Sequence, residues 1–271
     1  MLKVVVPDLR FIPYKGKKIA YREKGKGSTI LLFHGMNGNS CSWAPLFNLL
    51  GDQFRVIAWD APSFGHSDVF GDSIIDYNKS AKALVDALEI EDAILIGHSM
   101  GGLIATRLAV EKNISLAGLV LSSCHLGFGL PKGQALMARY ADRIDVLSKS
   151  NADNTYAIER AKRSTPDGTP SYVIEFLADV AGSARIEGIR DGGRMSQETD
   201  NTNICRSIKV PVLILSGGKD KIISNKMHSA LVQALPEAEQ VTFTEAGHAS
   251  YAEYPELFQT QIEVMANRVW K

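Results

Sequence analysis

Ala93-Ile94-Leu95-Ile96-Gly97-His98-Ser99-Met100-Gly101-Gly102-Leu103-Ile104 is the stretch on which the reading of this chain turns. Its apolar opening, unbroken by a polar residue, reads as a strand buried on both faces, as inside a parallel sheet. From Leu103 to Val110 the apolar residues return with helical period. Between them stands Gly97-x-Ser99-x-Gly101, a spacing whose glycines let a strand turn at once into a helix. So sharp a turn forces the serine into strained backbone angles, at a cost of about 1–3 kcal/mol. The serine hydroxyl then stands clear of the C-terminal edge of the sheet, where the N–H groups opening the helix favour negative charge.

Working outward, the same rhythm repeats. Leu9 to Pro13 and Lys17 to Glu23 alternate apolar with polar across Tyr14-Lys15-Gly16, as an antiparallel hairpin does. Thr29 to Phe33, Phe54 to Trp59, Leu116 to Leu121, Val210 to Leu215 and Glu239 to Thr244 read as further strands. Helical spacing covers Ser73 to Leu88, Asn225 to Leu235 and Pro255 to Trp270. Alternation of strand and helix predicts an α/β fold with a mostly parallel sheet covered on both faces. From Leu126 to Cys205 no buried strand is legible; Gly133 to Leu147, Thr155 to Arg163 and Ser171 to Ala181 read as helices, and Gly192-Gly193 interrupts a looser tail. One crossover needs far fewer residues. The chain therefore divides into a core, 1–125 and 206–271, and a helical cap inserted at 126–205.

A serine hydroxyl needs a base, and the base needs a carboxylate to fix its tautomer. Of the six histidines, His248 follows the last strand and precedes the final helix, so it can reach Ser99 without deforming the scaffold. Asp220 follows Val210 to Leu215 through Ser216-Gly217-Gly218-Lys219; the competing strand end, Ser122-Ser123-Cys124-His125, offers no carboxylate. An oxyanion formed at Ser99 needs N–H donors: Met100 supplies one, and Met36, after Gly35 in the loop His34-Gly35-Met36-Asn37, supplies the other. His34 itself reads as a brace for that loop.

Composition narrows the alternatives. The 271 residues carry 30 basic and 30 acidic side chains, which gives none of the basic excess of a nucleic-acid binder. Ten basic and eleven acidic residues fall in 126–205, so neither part hides a net charge. No apolar run is long enough to span a bilayer. Three scattered cysteines support neither a disulfide framework nor a zinc site. Dinucleotide and phosphate-loop motifs are absent, so no cofactor is expected. The opening Met1 to Asp8 is too short an apolar run for a secretion signal, which makes the cytoplasm the expected location.

The chain resembles the α/β-hydrolase superfamily through His34-Gly35, Asp60-Ala61-Pro62-Ser63-Phe64-Gly65-His66-Ser67, the 97–101 turn, Asp220 and Gly247-His248. Ser63 stands where members often carry glycine. The resemblance implies an eight-stranded sheet beneath a helical cap, with Ser99 as nucleophile, His248 as base, Asp220 as orienting acid and the Met36 and Met100 N–H groups as oxyanion donors. Members that open epoxides or displace halide use an aspartate nucleophile, so Ser99 points to acyl chemistry.

The expected substrate is a small carboxylic ester or lactone, and the expected assembly a monomer or homodimer. Two alternatives are a carbon–carbon hydrolase of vinylogous diketone acids, and a ligand receptor or cofactor-free perhydrolase on the same fold. Trp43, Phe64, His125, Phe128, Met137, Tyr140 and Phe176 are candidate pocket walls, beside Leu126. Arg185, Arg190 and Arg194 could hold a substrate carboxylate, though a solvated charged face is the plainer reading for them.

Overall fold

The computed structural model describes residues 6–149 and 154–270. Residues 1–5, which carry part of the expectation about secretion, lie outside that range, as do 150–153 within the proposed insertion and 271 at the end.

The strands are β1 (Leu9–Tyr14), β2 (Lys17–Lys24), β3 (Thr29–Phe33), β4 (Arg55–Trp59), β5 (Ala93–His98), β6 (Leu116–Ser122), β7 (Val212–Gly217) and β8 (Glu239–Phe243). They form one sheet in the order β1-β2-β4-β3-β5-β6-β7-β8. β1 and β2 pair antiparallel, β2 meets β4 antiparallel, and all later pairings are parallel. β3 and β5 are buried along their whole length, as their uninterrupted apolar runs require.

Successive side chains on a strand face opposite sides, and the core divides accordingly. Leu31, Phe33 and Leu95 join one apolar cluster; Ile30, Leu32, Ile94 and Ile96 join the other. The helices outside the long connection are α1 (Ala44–Leu50), α2 (Ile74–Ala87), α3 (Met100–Leu108), α8 (Asn225–Ala234), α9 (Ser250–Glu253) and α10 (Pro255–Val269). α2 begins at Ser73, whose hydroxyl accepts the Asp76 N–H, and buries Tyr77, Ala81, Leu84 and Val85 against the first cluster. The turn at Ser40–Trp43 and α1 were not anticipated from the sequence; Asn39 starts them by accepting the Cys41 N–H at 2.7 Å.

Between β6 and β7 lie α4 (Ala138–Lys149), α5 (Thr155–Ser164), α6 (Ser171–Ala181) and α7 (Ile186–Glu198). This connection shares the core of the sheet. Ala157, Ala161, Val173, Leu177, Ala178 and Ala181 belong to the second cluster, and Leu126 and Met195 to the first. α4 starts later than the periodicity from Gly133 suggests, and Gly133 itself takes φ +83°, outside the helical region.

The largest departure concerns Gly192-Gly193, which lie inside α7 and do not interrupt a loose tail. A Cβ on Gly192 would come within 2.9 Å of Met100 Sδ and Phe64 Cζ, and one on Gly193 within 2.7 Å of Tyr140 Cγ. The pair is the flat place where α7 lies down on α3 and α4. That close packing offsets the loss of helix propensity, roughly 1 kcal/mol for each glycine.

α7 also answers the departure at Ser63. This residue is fully buried at φ 69°, where a side chain is strained, and its hydroxyl donates to Asp191 Oδ2 at 2.7 Å. Arg190 Nε occupies the other oxygen of Asp191 at 2.7 Å. A bond to a buried carboxylate contributes about 1.5–3 kcal/mol. Ser63→Ala keeps the strain and loses the bond, so urea unfolding should show a loss of about 1.5–3 kcal/mol. Ser63→Gly should lose less, because glycine relieves the strain at positive φ.

Candidate active site

Ser99 joins β5 to α3 with φ 52° and ψ −116°. Its backbone is held from behind by the Ser99 N–H donating to Ser122 O at 2.9 Å. The neighbouring glycines make the turn possible: a Cβ on Gly101 would lie 2.3 Å from Phe33 O, and one on Gly102 would lie 2.2 Å from Cys124 Sγ. Among the described residues the Ser99 hydroxyl has no hydrogen-bond partner, and it faces a cleft that His248 also lines.

His248 is carried by the loop between β8 and α9. Its Nδ1 donates to Asp220 Oδ2 at 2.9 Å, and both side chains are at least nine-tenths buried. The other Asp220 oxygen accepts the Ile222 and Ile223 N–H groups at 2.7 and 3.0 Å. Burial pushes the Asp220 carboxyl up, but the His248 ring and these two amides outweigh it and hold it below its ordinary range. The loops bearing the two residues are pressed together: a Cβ on Gly217 would lie 1.9 Å from Gly247 O. Glycine is therefore required at the end of β7.

Two partners hold the His248 loop. Glu253 accepts the Gly247 N–H at 2.9 Å and the Ala249 N–H at 3.2 Å, bracketing the histidine. From α5, Ser164 O accepts the His248 N–H at 2.8 Å. Neither residue was singled out from the sequence. Glu253 lies five residues beyond His248, and short acidic clamps of that kind leave no periodic trace.

Met36 and Met100 both line the cleft. The Met36 loop folds close to the elbow, with the Gly35 Cβ position 3.1 Å from Ser99 Cβ. His34 braces this loop: its Nδ1 donates to Gly35 O at 2.8 Å, and its Nε2 accepts the Ala61 N–H at 2.9 Å. Burial lowers the pKa of His34 and, more strongly, of His98. His125 also lines the cleft; burial first, then Arg139, brings its pKa down to about 4. Its Nδ1 accepts the Gly127 N–H at 3.0 Å.

The remaining candidate walls divide. Tyr140 lines the cleft beside His125. Phe128 stands behind His125, ring centroids 5.1 Å apart, and does not line it. Trp43 is fully buried against Tyr251 and Phe258, and Phe64 is buried against His34, so both are core. Phe176 packs on the second apolar cluster, and the Met137 N–H is tied to Gln197 Oε1 at 2.8 Å; neither side chain reaches the cleft.

The arginines named from the sequence are engaged elsewhere. Arg185 donates to Gly65 O and Ser67 O, Arg190 pairs with Asp191, and Arg194 pairs with Glu198 and donates to Gln134 O. The cleft is lined by Arg139, Arg143, Arg160 and Arg163. A usable signal was present: 139 and 143, and 160 and 163, are spaced to share a helix face. Among the described residues no group of three His, Cys, Asp or Glu side chains could hold a metal ion, and no helix is long and apolar enough to cross a membrane.

A hydroxyl at a strained, cleft-facing turn, with an imidazole ordered by a carboxylate lining the same cleft, is an arrangement that can transfer acyl groups. Comparison with known proteins agrees at the level of family. The chain is 28% identical over 257 residues to the pimeloyl-[acyl-carrier protein] methyl ester esterase of Vibrio cholerae, covering 92% of this chain and 98% of that protein. It is 30% identical over 257 residues to the dihydrolipoyllysine-residue acetyltransferase component of the acetoin cleaving system of Cupriavidus necator, covering 90% of this chain but only 65% of that protein's length. Among solved structures, a thermophilic esterase from Thermogutta terrifontis with malate bound superposes with a TM-score of 0.82 at 25% identity, over 97% of this chain and 100% of that one. The family model described as alpha/beta hydrolase fold matches residues 28–255, and the chain belongs to that family.

Proposed function

We propose that the protein is a serine hydrolase that cleaves a small-molecule carboxylic ester or lactone through an acyl-enzyme. One observation carries the reading: His248, on the wall of the cleft that Ser99 enters at positive φ, is hydrogen-bonded to Asp220 at 2.9 Å. Likeness to proteins named as esterases supports it.

The chemistry follows from the geometry. With its Nδ1–H committed to Asp220, His248 is left with Nε2 as its basic nitrogen, which takes the Ser99 proton as Ser99 Oγ attacks the carbonyl carbon. The carbonyl electron pair moves onto oxygen, and the Met36 and Met100 N–H groups accept that charge as oxyanion donors. When the tetrahedral centre collapses, the bond to the leaving oxygen breaks and the imidazolium returns its proton there. A water that gives its proton to His248 then attacks the acyl-enzyme; the bond from the acyl carbon to Ser99 Oγ breaks, His248 returns the proton to that oxygen, and the acid leaves. The open hydroxyl of Ser99 is consistent with this, since such contacts often tighten only around substrate. His34, His98 and His125 stay uncharged at neutral pH because burial penalises their cations, so none of them supplies a competing imidazolium.

The arginines at the cleft keep one second reading in play, the carbon–carbon hydrolase of a carboxylated diketone.

A fluorophosphonate should label wild-type protein at Ser99 and leave Ser99→Ala unlabelled; a wild-type protein that resists labelling would end the serine-hydrolase reading. Asp220→Asn should retain the fold by circular dichroism while kcat on short p-nitrophenyl esters falls about 10²–10⁴-fold. Turnover within a few-fold of wild type would place the orienting acid elsewhere.

The buried His125 gives a pH dependence of its own. Its folded pKa of about 4 lies below the ordinary 6.5, so the folded state binds fewer protons than the unfolded chain in that interval. Stability is therefore retained above pH 6.5 and lost as the pH falls toward 4. Urea unfolding of His125→Asn across that window should show a slope shallower by up to about 1.4 kcal/mol per pH unit.

A further inference from the structure

The cleft has two parts joined by a ring of cations. Next to Ser99, Met36, Met100 and His248 is a chamber of about 50 Å³, and outside it a vestibule of about 510 Å³. Arg139, Arg143, Arg160 and Arg163 line both, so they form the collar between them. Arg139 and Arg143 come from α4; Arg160 and Arg163 come from the end of α5.

None of the four forms an ion pair among the described residues, and three of them, Arg139, Arg143 and Arg160, lie against rings instead. Arg139 lies 5.2 Å above the Phe128 ring and 5.6 Å from that of Tyr140, Arg143 lies 5.8 Å from Tyr140, and Arg160 lies 5.8 Å from Tyr156. Stacking holds a guanidinium by its face and leaves the N–H donors around its edge unspent. Arg160 Nε is buried with no hydrogen-bond partner. Asp142 and Glu159 border the vestibule but not the chamber, and neither pairs with a collar arginine. Lys221, also at the vestibule, pairs with Asp167 at 3.3 Å.

Grouping these cations is costly. Burial, then the charge of Arg160, brings the Arg143 pKa down to about 10. Arg160 is lowered by burial, which outweighs the opposing pull of Tyr156 and Glu159, with Arg163 adding to the lowering. Structural ion pairs would relieve that cost, yet Arg185, Arg190 and Arg194 on the same connection have carbonyl or carboxylate partners and these four do not. Cations held unpaired at the mouth of a reaction chamber await an anion from outside.

We propose that the arginine collar binds a carboxylate or phosphate carried by the substrate, at the end remote from the bond that is cleaved. The small chamber takes the reacting ester group and a short flanking segment; the anion rests in the collar, where a guanidinium can grip it in bidentate fashion. This rests on the serine-hydrolase reading for what happens at Ser99, but the anion site itself does not depend on it.

The test compares kcat/KM for three esters: the monomethyl ester of a straight-chain dicarboxylic acid, the methyl ester of the monocarboxylic acid of equal length, and an acetate ester of a phosphorylated alcohol. Wild type should prefer at least one anionic ester over the neutral one by about 10-fold or more, and added salt should shrink that preference. In Arg143→Gln and in Arg160→Gln the anionic-to-neutral ratio should fall by about 10-fold or more. Lys162→Gln, a charge loss on the same helix but off the cleft, should leave the ratio unchanged. Which anionic ester is preferred tells whether the charge rides on the acyl or the alcohol side.

A ratio near one in wild type, or one that Arg143→Gln and Arg160→Gln do not move, overturns the proposal. Calorimetric titration of wild-type protein with the free dicarboxylate separates the two readings. Binding that Arg143→Gln abolishes, in a protein that hydrolyses no ester, keeps the anion site and removes the hydrolase. Rapid, charge-blind hydrolysis with no dicarboxylate binding does the reverse.

Discussion

The backbone crowding around Ser99 is the constraint on which everything else depends. β5 must turn into α3 within a single residue, and the space for that turn is shared with β3, with Cys124 and with the loop carrying Met36. Gly97, Gly101, Gly102 and Gly35 are small because backbone or a neighbouring side chain already occupies the place of each missing Cβ. The strain at Ser99 is carried by this packing, since no local hydrogen bond to its side chain offsets it. The same crowding turns the N–H end of α3, the Met36 loop and the serine hydroxyl toward one cleft.

A second crowding, between the loops after β7 and β8, joins Asp220 to His248. Gly217 and Gly218 let the carbonyls of Gly247 and Thr244 approach, and the Ile222 and Ile223 amides and the His248 ring then keep Asp220 ionised in a mostly apolar setting. Glu253 fixes the histidine loop from its far side. The site is thus assembled from strand ends of one rigid sheet and trimmed by backbone contacts that only glycine allows.

Much of this was legible from residue order. Buried runs such as Ala93 to Ile96 and Thr29 to Phe33 declare themselves by lacking polar residues, and Gly97-x-Ser99-x-Gly101 is local, so no tertiary knowledge is needed to see the turn. The long connection was less legible because its helices are placed by packing. Gly192-Gly193 looks like a break until the Met100, Phe64 and Tyr140 side chains beneath it are known. Trp43 and Phe64 have the character of pocket walls and lie in the core, because sequence reports that a residue is apolar and not which apolar surface it meets. The arginines show the same limit for charge. A near-balanced total for 126–205 is compatible with four cations gathered on one opening, since composition averages over faces.

The helices over the cleft are also fastened to the parts that would perform the reaction. Tyr156 on α5 donates its hydroxyl to Asn37 Oδ1 at 2.6 Å, beside Met36; Asn39 Nδ2 donates to Ser183 Oγ at 2.6 Å; and Ser164 holds the His248 N–H. A cover fastened in this way works as an interlock. The position of α5 is therefore tied, bond by bond, to the positions of the Met36 loop and the His248 loop.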